Sequence, residues 1–446
     1  MVNIRQGAVQ KKMAKHNLST WNWETGKKLI VDTTKWKDMF DRVEEPYASP
    51  DGERVVAVVK TGDMEFSVCE NDTPWERRFD KIWYLKFGAD NRLTALVSDM
   101  GAWTVAVDGA AWENTFDFVW NTKFGADGKN ITVAAQKDTK YFAVTNNIPW
   151  ETRFSDLSHL TVSPDGKRVA GVVPTVPIKQ GDIFQFQKGC YSAVVDGTPW
   201  DSTFVNVWDL SFSHDAEHVA AVVRTSLYDY TIAVDGVLWD TIYTSAWMPK
   251  FSPANGSVTA PVRIAGEWTL AQDGESFWNR SFAQLWHHMY SPDGKKIAAI
   301  VASKYGRWTI AVDGTPWSLT FGDLVTDAVF SPDGNRIACI GKQDGRWTIA
   351  VDGRAWSETY DMVWQPVFSP DSSKVAAKAE KNGRYTIVID GKPLKESYQA
   401  LWNPVFSPDS QKILIKGIMG NSHGGKYFRQ VLPVTDITGD PGSLSS

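Results

Sequence analysis

Trp308-Thr-Ile-Ala-Val-Asp-Gly-Thr-Pro-Trp317, running on to Phe330-Ser-Pro-Asp-Gly334 and Ile337-Ala-Cys-Ile340, is the stretch whose reading decides the fold. Its apolar blocks are short, rich in β-branched residues and closed by Asp-Gly or Pro-Asp-Gly, which is the chemistry of β-hairpins. In its full form the repeat spaces its aromatics as Trp-x3-aromatic-x3-Trp-x3-Phe, as at Trp356, Tyr360, Trp364 and Phe368, and four-residue steps suit a helical face as well as one face of a strand. The closely spaced turns exclude long helices and leave four short strands per unit. These are d around Pro-Trp, a ending in Phe, b after Ser-Pro-Asp-Gly, and c ending at Val-Asp-Gly.

The same unit recurs along the whole chain. The turn before strand b begins at Ser49, Gly88, Gly125, Ser163, Ser213, Ser252, Ser291, Ser331, Ser369 and Ser407, at intervals of 37 to 40 residues with a single interval of 50. A second turn column runs through Asp32, Asn71, Asp108, Asn146, Asp196, Asp235, Asp273, Asp313, Asp352 and Asp390. Four residues on stands Trp36, 75, 112, 150, 200, 239, 317 or 356, with Trp278 one place late and Leu394 in the last copy. A second column holds Trp83, 120, 208, 247, 286, 364 and 402, and a third, five residues before the Asp, is aromatic from Phe66 to Tyr385. With Trp21 and Trp23 these columns contain all 22 tryptophans. A ligand site needs one special place, so periodic tryptophans read as packing between repeats.

Proline, which cannot donate to a ladder, is confined largely to edge strands. Pro74, Pro149, Pro199 and Pro316 fall in d, and Pro249, Pro366 and Pro404 fall in a, so a and d are the two edges of an a-b-c-d sheet. Such sheets repeated radially form a β-propeller. The expected fold is therefore all-β: about ten repeats of roughly 39 residues in one closed ring, with two smaller rings as the alternative. The expected boundaries are an N-terminal arm over 1–26, the propeller over 27–434 and a tail over 435–446. The chain opens on a d strand at Lys35 to Phe40, and Lys28 to Asp32 and Lys426 to Leu432 compete for the c strand that closes the ring.

Of the 446 residues 43% are apolar and 22% charged, an ordinary globular composition. A net charge of −5, with basic residues dispersed, gives no footprint for nucleic acid. No run of 18 apolar residues and no signal-like segment occurs, which predicts a cytoplasmic protein whose membrane association, if any, comes through partners. Cys69, Cys190 and Cys339 are too dispersed for a disulfide framework or a Cys-x-x-Cys site.

The Phe-Ser-Pro-Asp-Gly turn followed by Lys296-Ile-Ala298-type strands resembles the WD40-like repeats of TolB-type bacterial propellers over essentially the whole chain. As a tryptophan-rich propeller of this size without a cofactor motif, the chain is also similar to the TmcD-type subunit of the transmembrane electron-transfer complex of sulfate-reducing bacteria. That resemblance implies a non-catalytic subunit without cofactor, accompanied by cytochrome and iron-sulfur subunits.

Three motifs imitate active sites. His214-Asp-Ala-Glu-His218 fits the inverzincin pattern, but it aligns with Ser163-Pro-Asp-Gly-Lys-Arg168 and so reads as an a-to-b turn. Gly420-Asn-Ser-His-Gly424 fits a nucleophile elbow but lacks a downstream Asp-His pair in the 22 residues after it, and reads as a b-to-c loop. His287 and His288 are adjacent in a strand and face opposite ways, so they cannot chelate one ion together. No catalytic, metal or cofactor-binding residue is expected.

Function is then expected where the repeat departs from itself. The long interval lies between strands b and c of one copy, where Pro174 to Cys190 carries Ile183, Phe184 and Phe186. All b-to-c loops emerge on one face of a propeller, so Leu227 to Asp229 with Tyr228, Tyr305, and Asn421 to Gly425 share that face. Exposed Ile, Phe and Tyr there would anchor a protein partner. The competing readings are an insert that folds back onto its own blade, and a hydrolase or small-ligand binder that uses the central channel.

Overall fold

The computed structural model describes residues 18–177, 182–421 and 424–439. Its strands form ten antiparallel sheets, each ordered a-b-c-d. We number the blades from the N-terminus. Blade 8 shows the plan: a is Leu324–Phe330, b Ile337–Gln343, c Arg346–Val351 and d Arg354–Ala355. Asp344-Gly345 and Asp352-Gly353, which join b to c and c to d, have positive φ at both residues (51° and 75°, 50° and 76°), the geometry that matches the twist of a two-residue hairpin. Strand d is brief. Its chain swings out at Trp356 and returns at Tyr360, which pairs with Trp347 at the start of c.

Strand a is inner, since the a strands of blades 3, 4, 5 and 6 touch in succession. It is also bent. In six blades one residue, Tyr84, Asn121, His159, Asp209, His287 or Asp327, bulges out at positive φ and the register with b slips. Where proline follows, in blades 1, 6, 9 and 10, strand a is interrupted instead, as at Met362–Val363 and Val367–Phe368. A residue before proline is pushed out of helical conformations, which suits the extended break.

The core is divided between the blades. Each of the ten neighbouring pairs encloses its own apolar cluster, including one between blades 9 and 10 around Tyr398 and one between blades 10 and 1 around Tyr427. The ring is therefore single and closed.

Closure corrects two expectations. Lys426 to Leu432 belongs to the c strand Gly424–Pro433, and Gly26–Asp32 pairs with it in the place of d, Lys28 opposite Arg429. There is thus no competition for c. Lys35 to Phe40 is no strand: Asp32 Oδ1 accepts from Thr34 N at 3.2 Å and starts the helical turns Thr33–Lys35 and Trp36–Met39. Trp36 nevertheless does what its column does elsewhere, buried against blade 1 with Nε1 donating to Asp72 at 2.6 Å.

Candidate functional site

The two faces of the ring differ in how much of their polar chemistry is already engaged. On the a-to-b face, Ser291 and Ser331 donate through Oγ to Asp293 and Asp333 at 2.6 and 2.5 Å, and these carboxylates accept from the backbone N of Lys295 and Asn335. Those hydrogen bonds hold Asp293 at about 2 and draw Asp333 well below the usual carboxylate range. The Asp of each c-to-d turn accepts from the first amide of strand b, as Asp313 does from Ile297 N at 2.9 Å and Asp352 from Ile337 N at 2.8 Å. The recurring carboxylates are thus turn-builders.

A column that the sequence reading passed over ties blade to blade on this face. Arg54, Arg92, Arg168 and Arg336, at the start of b, donate to carbonyls of the next blade's turn: Asn91, Gly128, Ala216 and Ser372, at 2.8 to 3.0 Å. At the closing seam Lys416, Arg429 and Tyr427 do the same to Pro50, Asp51 and Gly52.

The b-to-c face carries the departures. In blade 4, strand b ends at Pro174 and the insert returns through the helix Ile183–Lys188, whose first turn Asp182 caps by accepting from Gln185 N at 2.9 Å. Its stem is tied down: Cys190 N donates to Phe204 O and Thr175 N to Cys190 O, both at 2.9 Å. Gly189 lies so close to Phe204 that a Cβ would come within 2.9 Å of its backbone. The insert does not bury itself on its blade, because Ile183 is 64% and Phe184 79% exposed, while Phe186 is half-buried. Tyr228 and Tyr305 each stand 80% exposed on loops of blades 5 and 7. Asn421 and Gly424 end the strands of blade 10's hairpin, and Ser422 and His423 between them lie outside the described residues, as do residues 178–181 of the insert.

Sequence reasoning missed two members of this face. Met64 and Met100 occupy hairpin tips of blades 1 and 2 at φ of 55° and 50°, and Met100 is 94% exposed. The available signal was an apolar residue in a turn column, since Met100-Gly101 stands where blade 8 has Asp344-Gly345.

The imitated motifs fall where the alignment put them. His218 Nδ1 meets Asp235 Oδ2 at 2.6 Å across a turn, a contact that raises the imidazole's pKa, and no helix carries His214 beside it. His288 is buried, with Nε2 3.2 Å from Thr259 O, while His287 occupies the bulge of strand a. Among the described residues no three His, Cys, Asp or Glu side chains gather as metal ligands. The three thiols are buried, and burial pushes Cys69 up to about 12. No described helix is long and apolar enough to cross a membrane.

The tryptophan columns divide. The first is packing between blades: Trp75, Trp200, Trp239, Trp278, Trp317 and Trp356 each lie beneath the Asp-Gly turn of the next blade, against Gly109, Gly236, Gly274, Gly314, Gly353 and Gly391. The second also reaches the neighbouring blade, Trp120, Trp208, Trp286 and Trp402 packing against apolar clusters between blades and Trp83 meeting Phe118 of blade 3 at 6.0 Å. Its members also pair within their own blade, Trp83 with Trp103 at 4.7 Å and Trp286 with Trp308 at 4.5 Å between ring centroids. Trp83 keeps 49% of its surface exposed.

No family model matches the chain, and no curated protein matches it. Among solved structures it is similar to a eukaryotic initiation factor, at 15% identity over 71% of this chain and 87% of the other with a TM-score of 0.46. It is similar also to TolB from Acinetobacter baumannii, at 14% identity over 70% and 79% with a TM-score of 0.29. The assignment as a ten-bladed propeller rests on the sheets themselves, and the similarity to the electron-transfer subunit gains no support from these comparisons.

Proposed function

We propose that this propeller is a non-catalytic docking subunit that holds protein partners on its b-to-c face. The observation that carries this reading is the helix Ile183–Lys188, presented on an anchored stem with Ile183 and Phe184 turned to solvent. Exposed large apolar side chains on a fixed support are what an interface uses as anchors. Tyr228 and Tyr305, on blades 5 and 7, extend the same face. In its finer form the proposal takes the partners to be the cytochrome and iron-sulfur subunits of a redox complex, with the protein cytoplasmic and held at the membrane through them.

The test replaces Ile183 and Phe184 together by Asp and recovers the tagged protein from its native host. We expect unchanged unfolding and at least a tenfold loss of co-purifying subunits, each anchor contributing about 1–2 kcal/mol. Haem absorbance in the wild-type eluate supports the redox form, and its absence from an otherwise intact complex removes that form alone. Undiminished recovery of partners by the double variant overturns the docking proposal.

A further inference from the structure

Between the inner strands of blades 1 and 2 lies a cleft of about 290 Å³, lined by Glu44, Glu45, Tyr47, Trp83 and Tyr84 over an apolar floor that includes Val58. Three aromatic side chains are left open there: Tyr47 is 42%, Trp83 49% and Tyr84 47% exposed. Tyr84 is held at the bulge with a φ of 55°, a conformation bulky residues rarely adopt, and lines the cleft. Of the two carboxylates, Glu44 meets Arg42 at 3.3 Å, whereas the Glu45 carboxylate makes no ion pair within 4 Å and no hydrogen bond among the described residues, and acts on Tyr47, Tyr385 and Lys378 only through its charge. Partly open aromatic rings beside a carboxylate that holds no direct ion pair recognise organic cations, because the ring quadrupole and the negative charge act in the same sense.

The repeat contains its own example of the contact. In blade 9, Trp364 occupies the place of Trp83, and the ammonium of Lys378 on strand b lies 3.7 Å from its ring centroid. In blade 2 the place of Lys378 is taken by Leu96, which pairs with Trp83 and supplies no cation. Lys86 reaches only the outer ring of the cleft, its ammonium donating to Thr122 O at 3.0 Å and lying 5.9 Å from the Tyr84 centroid, and among the described residues no cation sits over Trp83 or Tyr47.

We propose that this cleft binds an organic ammonium ion, seated on Tyr47, Trp83 and Tyr84 against Glu45. The site lies toward the b-to-c end of strand a, but the inference does not depend on that face being a docking surface. A free quaternary ammonium and the lysine of a partner share this chemistry, and the test separates them.

Full-length protein is titrated calorimetrically at low salt with choline, with its uncharged isostere 3,3-dimethylbutan-1-ol, and with N-acetyl-lysine methylamide. The substitutions come from other copies of the repeat, so that the fold tolerates them: Trp83→Thr, as at Thr326, and Tyr84→Asn, as at Asn121, with Glu45→Gln removing the charge. We expect a cation to bind, the isostere to bind at least tenfold more weakly, and each variant to lose about threefold to tenfold in affinity, as single cation–π or ionic contacts give. Trp247→Ala, an exposed member of the same column in blade 6, should leave binding unchanged. Tighter binding of choline assigns the site to a free quaternary ammonium, and tighter binding of the lysine derivative to a partner's side chain. Equal binding of the isostere, no binding of either cation, or wild-type affinity in both aromatic variants overturns the proposal.

Discussion

At the scale of single residues the repeat is a set of local solutions to backbone geometry. Asp and Asn recur after strand c because that position needs positive φ, which these residues tolerate, and an oxygen to cap the first amide of strand b. Their periodicity was plain in the sequence, but their role as caps was not, because a capping bond reaches 15 or 16 residues back to a strand whose register only the folded sheet defines. Glycine at Gly341 has a different cause. Its φ is ordinary, yet a Cβ there would stand 2.3 Å from Cζ of Phe321 in the neighbouring blade. Val301 holds the same place in blade 7, so the ring and the strand are fitted to each other blade by blade. Gly341→Ala should lower stability by about 1–3 kcal/mol, the usual cost of overpacking, as read from the denaturant midpoint. An unchanged midpoint would show that Phe321 is free to move.

At the scale of elements, strands b and c were legible in full, because β-branched runs between Asp-Gly turns admit no other reading. Strand a was legible except for its bulge, which leaves no mark in composition: Tyr84, Asn121, His159 and Asp327 share nothing but position. The bend of strand a, made by that bulge or by a break at proline, accompanies the partial burial of the second tryptophan column. The segment Lys35 to Phe40 misled for a related reason, since its Trp36 keeps the column while the chain around it is helical. What holds the outer edge of blade 10 is instead Gly26–Asp32, brought from the far end of the chain. Removing residues 1–32 should therefore uncover Tyr427 and Ile418 at the seam and lower the unfolding free energy by more than ~3 kcal/mol. The decisive measurement is chemical denaturation of the truncated and full-length chains, and equal stability would mean that the strand is not the closure.

At the scale of the whole molecule, ten similar blades make a ring with two unlike faces. The a-to-b face is uniform, its carboxylates engaged in turns and its arginines in the next blade. The b-to-c face carries the insert, Tyr228, Tyr305, Met64 and Met100, and is the face to which we assign partner binding as a proposal. Part of this was legible: the insert and the tyrosines stood out as breaks in a periodic pattern. The exposure of Phe184 against the half-burial of Phe186 was not, because it depends on how a six-residue helix is turned on its stem. The most direct measurement compares two charge variants of the intact protein in co-purification from the native host. One carries Asp at Ile183, Phe184, Tyr228 and Tyr305, and the other carries Asp at Ile148 and Val237, equally open apolar positions on the outer strands d. Loss of partners from the first with full recovery by the second is the outcome expected of a b-to-c docking face, whereas loss from the second alone, or from neither, would contradict it.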